Sequence, residues 1–165
     1  MVITFMRSIE LDSGIKEIEV KNKRGIVQTI IRVDVNDVDG MKKIASVITD
    51  LRNLSVECQA EVERKKQECR EMDKYQMAVV ASELRIKYLN KVIGRIDGIF
   101  GAGTVKNVFA ENYRKNPDYM PDEFALMDLL DKLLPEVAKL YEEKFAENRK
   151  KYNITRRAES DGSHV

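Results

Sequence analysis

The acidic stretch at residues 34–40, Asp-Val-Asn-Asp-Val-Asp-Gly, carries the oxygen side chains that a calcium loop requires. In such a loop Gly occupies the sixth position, Asp the first and a bidentate Glu the twelfth. With Gly40 at the sixth position, Val35 falls at the first and Ser46 at the twelfth, so the pattern fails. We interpret this stretch as the cap of a helix, with Asn36 or Asp37 as the capping residue, and predict no metal site.

A second stretch, Gly-Ile-Phe-Gly-Ala-Gly at residues 98–103, invites comparison with a phosphate-binding loop. Phosphate loops follow a strand and open a helix, and the P-loop ends in Gly-Lys followed by Ser or Thr. Here a helical pattern precedes the glycines, and Lys106 is out of register. The sequence therefore predicts no nucleotide cofactor.

The remaining residues with reactive side chains are isolated. His164 is the only histidine, which removes the commonest general base and metal ligand from the rest of the chain. Cys58 and Cys69 are too far apart on one helix for a disulfide, and we interpret them as free structural thiols. We predict that the protein is not an enzyme and has no catalytic residues and no cofactor.

Composition limits the class of protein further. The chain has 165 residues, with 29 Lys and Arg against 28 Asp and Glu. This charge balance argues against a dedicated nucleic-acid binder, which would carry an excess of basic residues. No run approaches the roughly 20 apolar residues that cross a membrane. We expect one cytoplasmic domain at residues 1–157 that binds no membrane, followed by a disordered tail at residues 158–165.

The first region, residues 1–36, has the alternation of β-structure. From residue 27 to 35 β-branched side chains alternate with Gln28, Ile30, Arg32 and Asp34, which predicts a strand with one buried face. Residues 17–21 alternate likewise, and residues 22–25 form a turn that ends in Gly, so the pair predicts a β-hairpin. Residues 2–11 are a weaker candidate for a third strand.

The second region, residues 37–98, predicts long amphipathic helices. Residues 41–93 contain neither Gly nor Pro. An apolar stripe at helical spacing is formed by Met41, Ile44, Ile48, Leu51, Ser55, Cys58 and Val62. The charged run at residues 63–74 interrupts it, and as one helix the tract would be about 80 Å long. It either folds back near residues 68–76 as a helical hairpin or projects as a coiled coil, and we favour the hairpin.

The third region, residues 99–157, begins with a glycine turn and continues in helices. Gly101 and Gly103 can adopt positive φ, and Thr104 is a candidate N-cap. Phe100 and Phe109 flank the turn and are expected to anchor it to the core. The fold class predicted for the whole chain is thus α+β, mainly α.

The last helix is predicted to start at Asp122 and to be kinked or divided at Pro135. Its apolar side comprises Phe124, Met127, Leu130, Leu133, Leu134, Val137, Leu140 and Tyr141. Near its end stand Arg149, Lys150, Lys151 and Tyr152. These residues either bind nucleic acid or an acidic partner, or only offset the helix dipole.

The glycine turn also carries a family resemblance. The turn and the residues around it resemble small tail proteins of siphophages and prophages of Gram-positive bacteria. The residues that carry the resemblance are, in order, Arg95-Ile96-Asp97, Ile99-Phe100-Gly101-Ala102-Gly103-Thr104, Val108-Phe109, Pro135 and Arg149-Lys150-Lys151-Tyr152. Such tail proteins are commonly described as tail assembly chaperones, with a Phe-Gly-x-Gly-Thr-Ser turn followed by Phe-Gly. This chain has Val105 in place of the Ser and Ala110 in place of the second Gly.

The resemblance implies a protein that binds the tape-measure protein, coats its apolar helices in the host cytoplasm and leaves before or as tail-tube subunits polymerise. Coating a filament would favour a homo-oligomer, and the edge of the hairpin is a candidate contact. Met72 and Met77 are candidate partner-binding residues, because thioether side chains adapt to varied apolar surfaces. The alternatives are a minor tail or connector protein that stays in the particle, or a coiled-coil adaptor.

Overall fold

The computed structural model describes residues 5–152 and confirms an α+β fold that is mainly α. The elements are β1 (Ile15–Lys21), β2 (Val27–Asp34), α1 (Gly40–Glu68), α2 (Lys74–Phe100), α3 (Thr104–Val108), α4 (Ala110–Lys115) and α5 (Glu123–Tyr152). No helix within this part of the chain is long and apolar enough to cross a membrane. The tail predicted at residues 158–165, including His164, lies outside the described residues.

The two strands form the predicted antiparallel hairpin. Ile18 pairs with Ile31, and the register shifts by one residue beyond Val20. The buried face of β2 continues into Val35, as the alternation predicts. The expected third strand is wrong for residues 5–11, which have no regular secondary structure, while residues 2–4 are not described.

The long tract folds back, as favoured, into a helical hairpin. Helix α1 ends at Glu68, and Asp73 caps α2 in a capping box with Gln76. Across the two helices, Tyr88 donates a hydrogen bond to Glu61 at 2.6 Å, and Arg95 donates to Ser46 at 2.9 Å. These pairings make the helices antiparallel, so the projecting coiled coil is wrong.

The buried face of α1 differs slightly from the predicted stripe. Buried side chains include Val47 and Leu54, whereas Ser55 is exposed. Leu54 is buried in place of Ser55 because a leucine side chain buries much more apolar surface than a serine, so α1 is rotated toward the side that carries Val47 and Leu54.

The start of α1 is not capped by Asn36 or Asp37, contrary to the prediction. The helix begins at Gly40, three or four residues later, and no side chain caps it. Asp37 instead accepts hydrogen bonds from the backbone N–H of Asp39 and from Lys43, and Asn36 donates to the carbonyl of Asp12. Both side chains are used in the turn that joins β2 to α1.

Helix α5 starts as predicted, because Asp122 accepts a hydrogen bond from the N–H of Ala125 at 2.8 Å. Pro135 does not divide the helix. Proline deprives the carbonyl four residues earlier of its partner, and that residue, Asp131, is exposed, so its carbonyl can bond to water. Phe124, assigned to the apolar side, is 75% exposed, and the buried stripe starts at Leu126.

The core lies between one face of the hairpin and helices α1, α2, α3 and α5. Helix α5 runs antiparallel to α1, since Glu123 pairs with Arg85 and Tyr141 contacts the start of α1 at Gly40. The turn of the helical hairpin therefore extends beyond the first residues of α5. The end of α5 lies in the opposite direction.

Candidate functional site

The glycine corner between α2 and α3 has the predicted backbone. Gly101 has φ +115° and Gly103 has φ +78°, and Phe100 is buried. Thr104 is not the predicted cap, because its hydroxyl donates to the carbonyl of Gly101 at 2.7 Å. The cap comes instead from Asp97 in the last turn of α2, whose carboxylate accepts the N–H of Val105 at 3.0 Å and of Gly103 at 3.3 Å.

We expect Asp97→Ala to lower the free energy of unfolding by about 1–3 kcal/mol, because it leaves the N–H of the fully buried Val105 without an acceptor. Asp97→Asn should cost less, since its amide oxygen can still accept one bond. Urea unfolding measures both, with the exposed Asp118→Ala as the control. Equal stability of the Asp97→Ala and Asp118→Ala variants would show that the carboxylate does not hold the corner.

Beyond the corner, Phe109 is half-buried and belongs to an aromatic cluster. Its ring lies 6.3 Å from that of Tyr119, which meets Tyr113 edge-on at 5.4 Å. Burial raises the pKa of both tyrosines, so each hydroxyl stays protonated at neutral pH. The cluster holds Phe109 in place as a rigid apolar wall.

Phe109 forms part of an open groove of about 380 Å³ between β1 and α5, which we call the hairpin groove. Its apolar lining consists of Ile18, Val20, Val108, Phe109, Leu129 and Leu133. Leu129 is half-buried and points to this groove without belonging to the main core cluster. A surface of this kind can bury apolar side chains of a partner, and each of its charged side chains is paired with a charge of opposite sign.

The rim of the hairpin groove is charged but balanced. Its four carboxylates pair with neighbouring cations: Glu19 with Lys21, Glu111 with Arg24, Asp128 with Lys132, and Glu136 with Lys139. Hydrogen bonds, first from Asn22 and then from Arg24, lower the pKa of Glu111. Each of these carboxylates has a cation beside it, although Arg24 and Lys139 lie outside the groove lining, so the groove has little preference for one sign of charge in a partner.

The predicted partner-binding residues lie elsewhere. Met72 is in the turn between α1 and α2, and Met77 is in the first turn of α2, both half-buried. Residues 149–152 are exposed at the end of α5, where Arg149 lies over Phe145 at 4.4 Å and Lys151 over Tyr152 at 5.4 Å. The two methionines and residues 149–152 therefore lie at opposite ends of the helices. Helix α1 alone is about 43 Å long.

The two cysteines and the candidate metal-ligating side chains can be placed in the described part of the chain. Burial, before any neighbouring charge, raises the pKa of the Cys58 thiol, so it is a poor nucleophile at neutral pH. Neither cysteine is in a disulfide. Between residues 5 and 152, no three His, Cys, Asp or Glu side chains are grouped so as to hold a metal ion.

Comparison with known proteins gives no relative: no family model, no curated protein and no solved structure matches this chain.

Proposed function

We propose that this protein is a phage tail assembly chaperone that binds apolar helices of the tape-measure protein and keeps them soluble in the host cytoplasm. The observation that carries the proposal is the open hairpin groove, whose apolar lining has no ligand-binding chemistry of its own. The resemblance of the glycine corner to small tail proteins supplies the class of partner. The two are linked, since the segment that carries the resemblance includes Phe109 in the groove wall.

An amphipathic helix suits this groove. Such a helix presents apolar side chains at spacings of three and four residues, and each can be buried against a surface such as that formed by Val20, Phe109 and Leu129. The balanced rim disfavours neither acidic nor basic flanking residues strongly. A protein that coats many different turns of one long helix needs this tolerance, and it can then leave as tail-tube subunits polymerise.

The test is co-expression with a long, helix-rich tape-measure candidate, with the recovery of that candidate in the soluble fraction as the measurement. We expect Leu129→Asp to weaken binding about 10- to 100-fold, because a buried leucine contributes about 1.5–3 kcal/mol. Ile86→Asp is the matched control, since Ile86 is a partly exposed aliphatic residue on α2, outside the groove lining.

If the wild-type protein does not change the solubility of its partner, the chaperone function is wrong. If Ile86→Asp is as damaging as Leu129→Asp, the hairpin groove is not the binding site. Mass spectrometry of purified particles tests the alternative, because a minor tail or connector protein would be retained at stoichiometric levels and a chaperone would not.

A further inference from the structure

The segment at residues 5–11, which we call the N-terminal arm, carries an unusual density of exposed apolar side chains. Phe5, Met6, Ile9 and Leu11 are each between 84% and 93% exposed. Single exposed apolar residues are common on protein surfaces, but four in one short segment mark a surface that is covered by a partner. The arm is therefore a candidate for one half of an interface.

The arm leaves the fold at a fixed point. The carboxylate of Asp12 accepts hydrogen bonds from Lys144 on α5 at 2.8 Å and from the N–H of Gly14 at 2.9 Å, and its carbonyl accepts one from Asn36 at 3.2 Å. The hydrogen bond from Lys144 is the main reason that the pKa of Asp12 is lowered to about 2. Asp12 is thus ionised and held to α5 at all physiological pH values.

Gly14 adds a steric constraint to this attachment. It is buried at φ +71°, and a Cβ built on it would lie 2.4 Å from Cγ of Asn36. The positive φ favours glycine here, and the short approach to Asn36 shows that the backbone passes close to the turn after β2. The direction in which the arm starts is set by the fold.

A second apolar groove lies beside this attachment point, with a volume of about 560 Å³ between the turn after β2 and the end of α5. We call it the arm groove. Its apolar lining is Val35, Val38, Met41, Tyr141 and Phe145, and its edge includes Asn36 and Lys144, the side chains that hold Asp12. Val38 is 97% exposed and Phe145 is 58% exposed, so the groove is open within the described chain.

We propose that two copies of this chain form a twofold dimer by exchanging N-terminal arms, each arm lying in the arm groove of the other copy. Each copy carries both halves of the contact, which is the condition for a self-complementary twofold interface. Arm and groove meet at Asp12 and Lys144, so a twofold axis near that ion pair places each arm over the other groove.

The dimensions and charges agree with this exchange. Seven extended residues reach about 23 Å, enough to cross a groove of this size. The arm carries Arg7 and Glu10. Lys144 at the groove edge is already paired with Asp12, so Glu142 is the lining charge that can attract Arg7 of an incoming arm. The arm groove and the hairpin groove share no lining residue, so a dimer keeps both hairpin grooves open.

Size-exclusion chromatography with light scattering tests the dimer on the full chain. Wild-type protein should have about twice the 19.0 kDa mass of one chain. Ile9→Asp in the arm and Phe145→Asp in the groove should each weaken the dimer at least about tenfold, because each buries a charge in an apolar contact. Phe124→Asp is the matched control: Phe124 is an exposed phenylalanine at the other end of α5, and its variant should remain dimeric.

Cross-linking identifies the exchange itself. In a background without Cys58 and Cys69, one tagged chain carries Ile9→Cys and a differently tagged chain carries Phe145→Cys. Oxidation of the mixture should give a disulfide-linked dimer of the two tagged chains. A third chain that carries both substitutions tests for an arm that lies in its own groove. The proposal would be overturned by a monomeric wild-type protein, by a Phe124→Asp variant that dissociates as readily as Phe145→Asp, or by a disulfide that forms only within this third chain. Leu129→Asp should leave the mass unchanged, which separates this test from that of partner binding.

Discussion

Leu126→Ala should lower the free energy of unfolding by about 2–5 kcal/mol, the range for truncating a fully buried leucine. Leu126 is fully buried where α5 enters the core. Its removal takes away buried apolar surface and leaves a cavity that the neighbouring helices cannot close fully. Urea unfolding followed by circular dichroism measures the change.

Phe124→Ala is the matched control two residues earlier on the same helix. Phe124 is larger than Leu126 but 75% exposed, so its truncation should change stability by less than about 0.5 kcal/mol. The apolar stripe predicted from the sequence includes Phe124 and omits Leu126. On that basis alone, Phe124→Ala would be the more destabilising of the two variants. The comparison therefore tests the orientation of α5, and a larger loss from Phe124→Ala would mean that the helix is rotated.

Gly40→Ala should lower the free energy of unfolding by about 1–3 kcal/mol, the usual range for overpacking. A Cβ on Gly40 would lie 2.1 Å from Oη of Tyr141. That hydroxyl donates to the carbonyl of Asp37 at 2.6 Å or of Asp34 at 3.0 Å, so moving the ring also breaks the contact between α5 and the turn before α1. Thermal and urea unfolding measure the loss.

Gly94→Ala is the control, because nothing lies within 4 Å of a Cβ there and Gly94 is inside α2. It should stabilise the protein by about 0.5–1 kcal/mol, the difference in helix propensity between Gly and Ala. Combining Gly40→Ala with Tyr141→Phe removes the colliding hydroxyl and leaves the next ring atom at 3.2 Å. The double variant should then be less destabilised than the sum of the two single variants, and strict additivity would contradict the proposed collision.

Much of the fold follows from local patterns. Three local patterns predict the structure found at their positions. These are the alternation before Asp34 for the strand, the gap in the apolar stripe near residues 68–76 for the turn of the helical hairpin, and the glycines at 101 and 103 for the corner. The errors occur where a distant residue replaces a local one. Asp97 caps the corner from the preceding helix, eight residues before Val105, so Thr104 is free to bond to Gly101.

Neither groove could be predicted from the sequence. The hairpin groove joins residues near Asn22 to residues near Glu111, whose hydrogen bond spans 89 positions. A groove is a place where packing is incomplete, and hydrophobic periodicity reports only where apolar residues recur. The alternation places Ile18 and Val20 on one side of a strand, but it does not show that this side also lines an open surface.

The bond between Asp12 and Lys144 spans 132 positions, and it determines when the early part of the chain can reach its final place during translation. Lys144 must be synthesised and must leave the ribosome before Asp12 has its partner on α5. Tyr141, which binds the turn after β2, imposes the same delay on residues 34–37. The β-hairpin can therefore pair early and pack on α2 and α3, but Asp12 and the turn after β2 gain their bonds to α5 only after that helix is made.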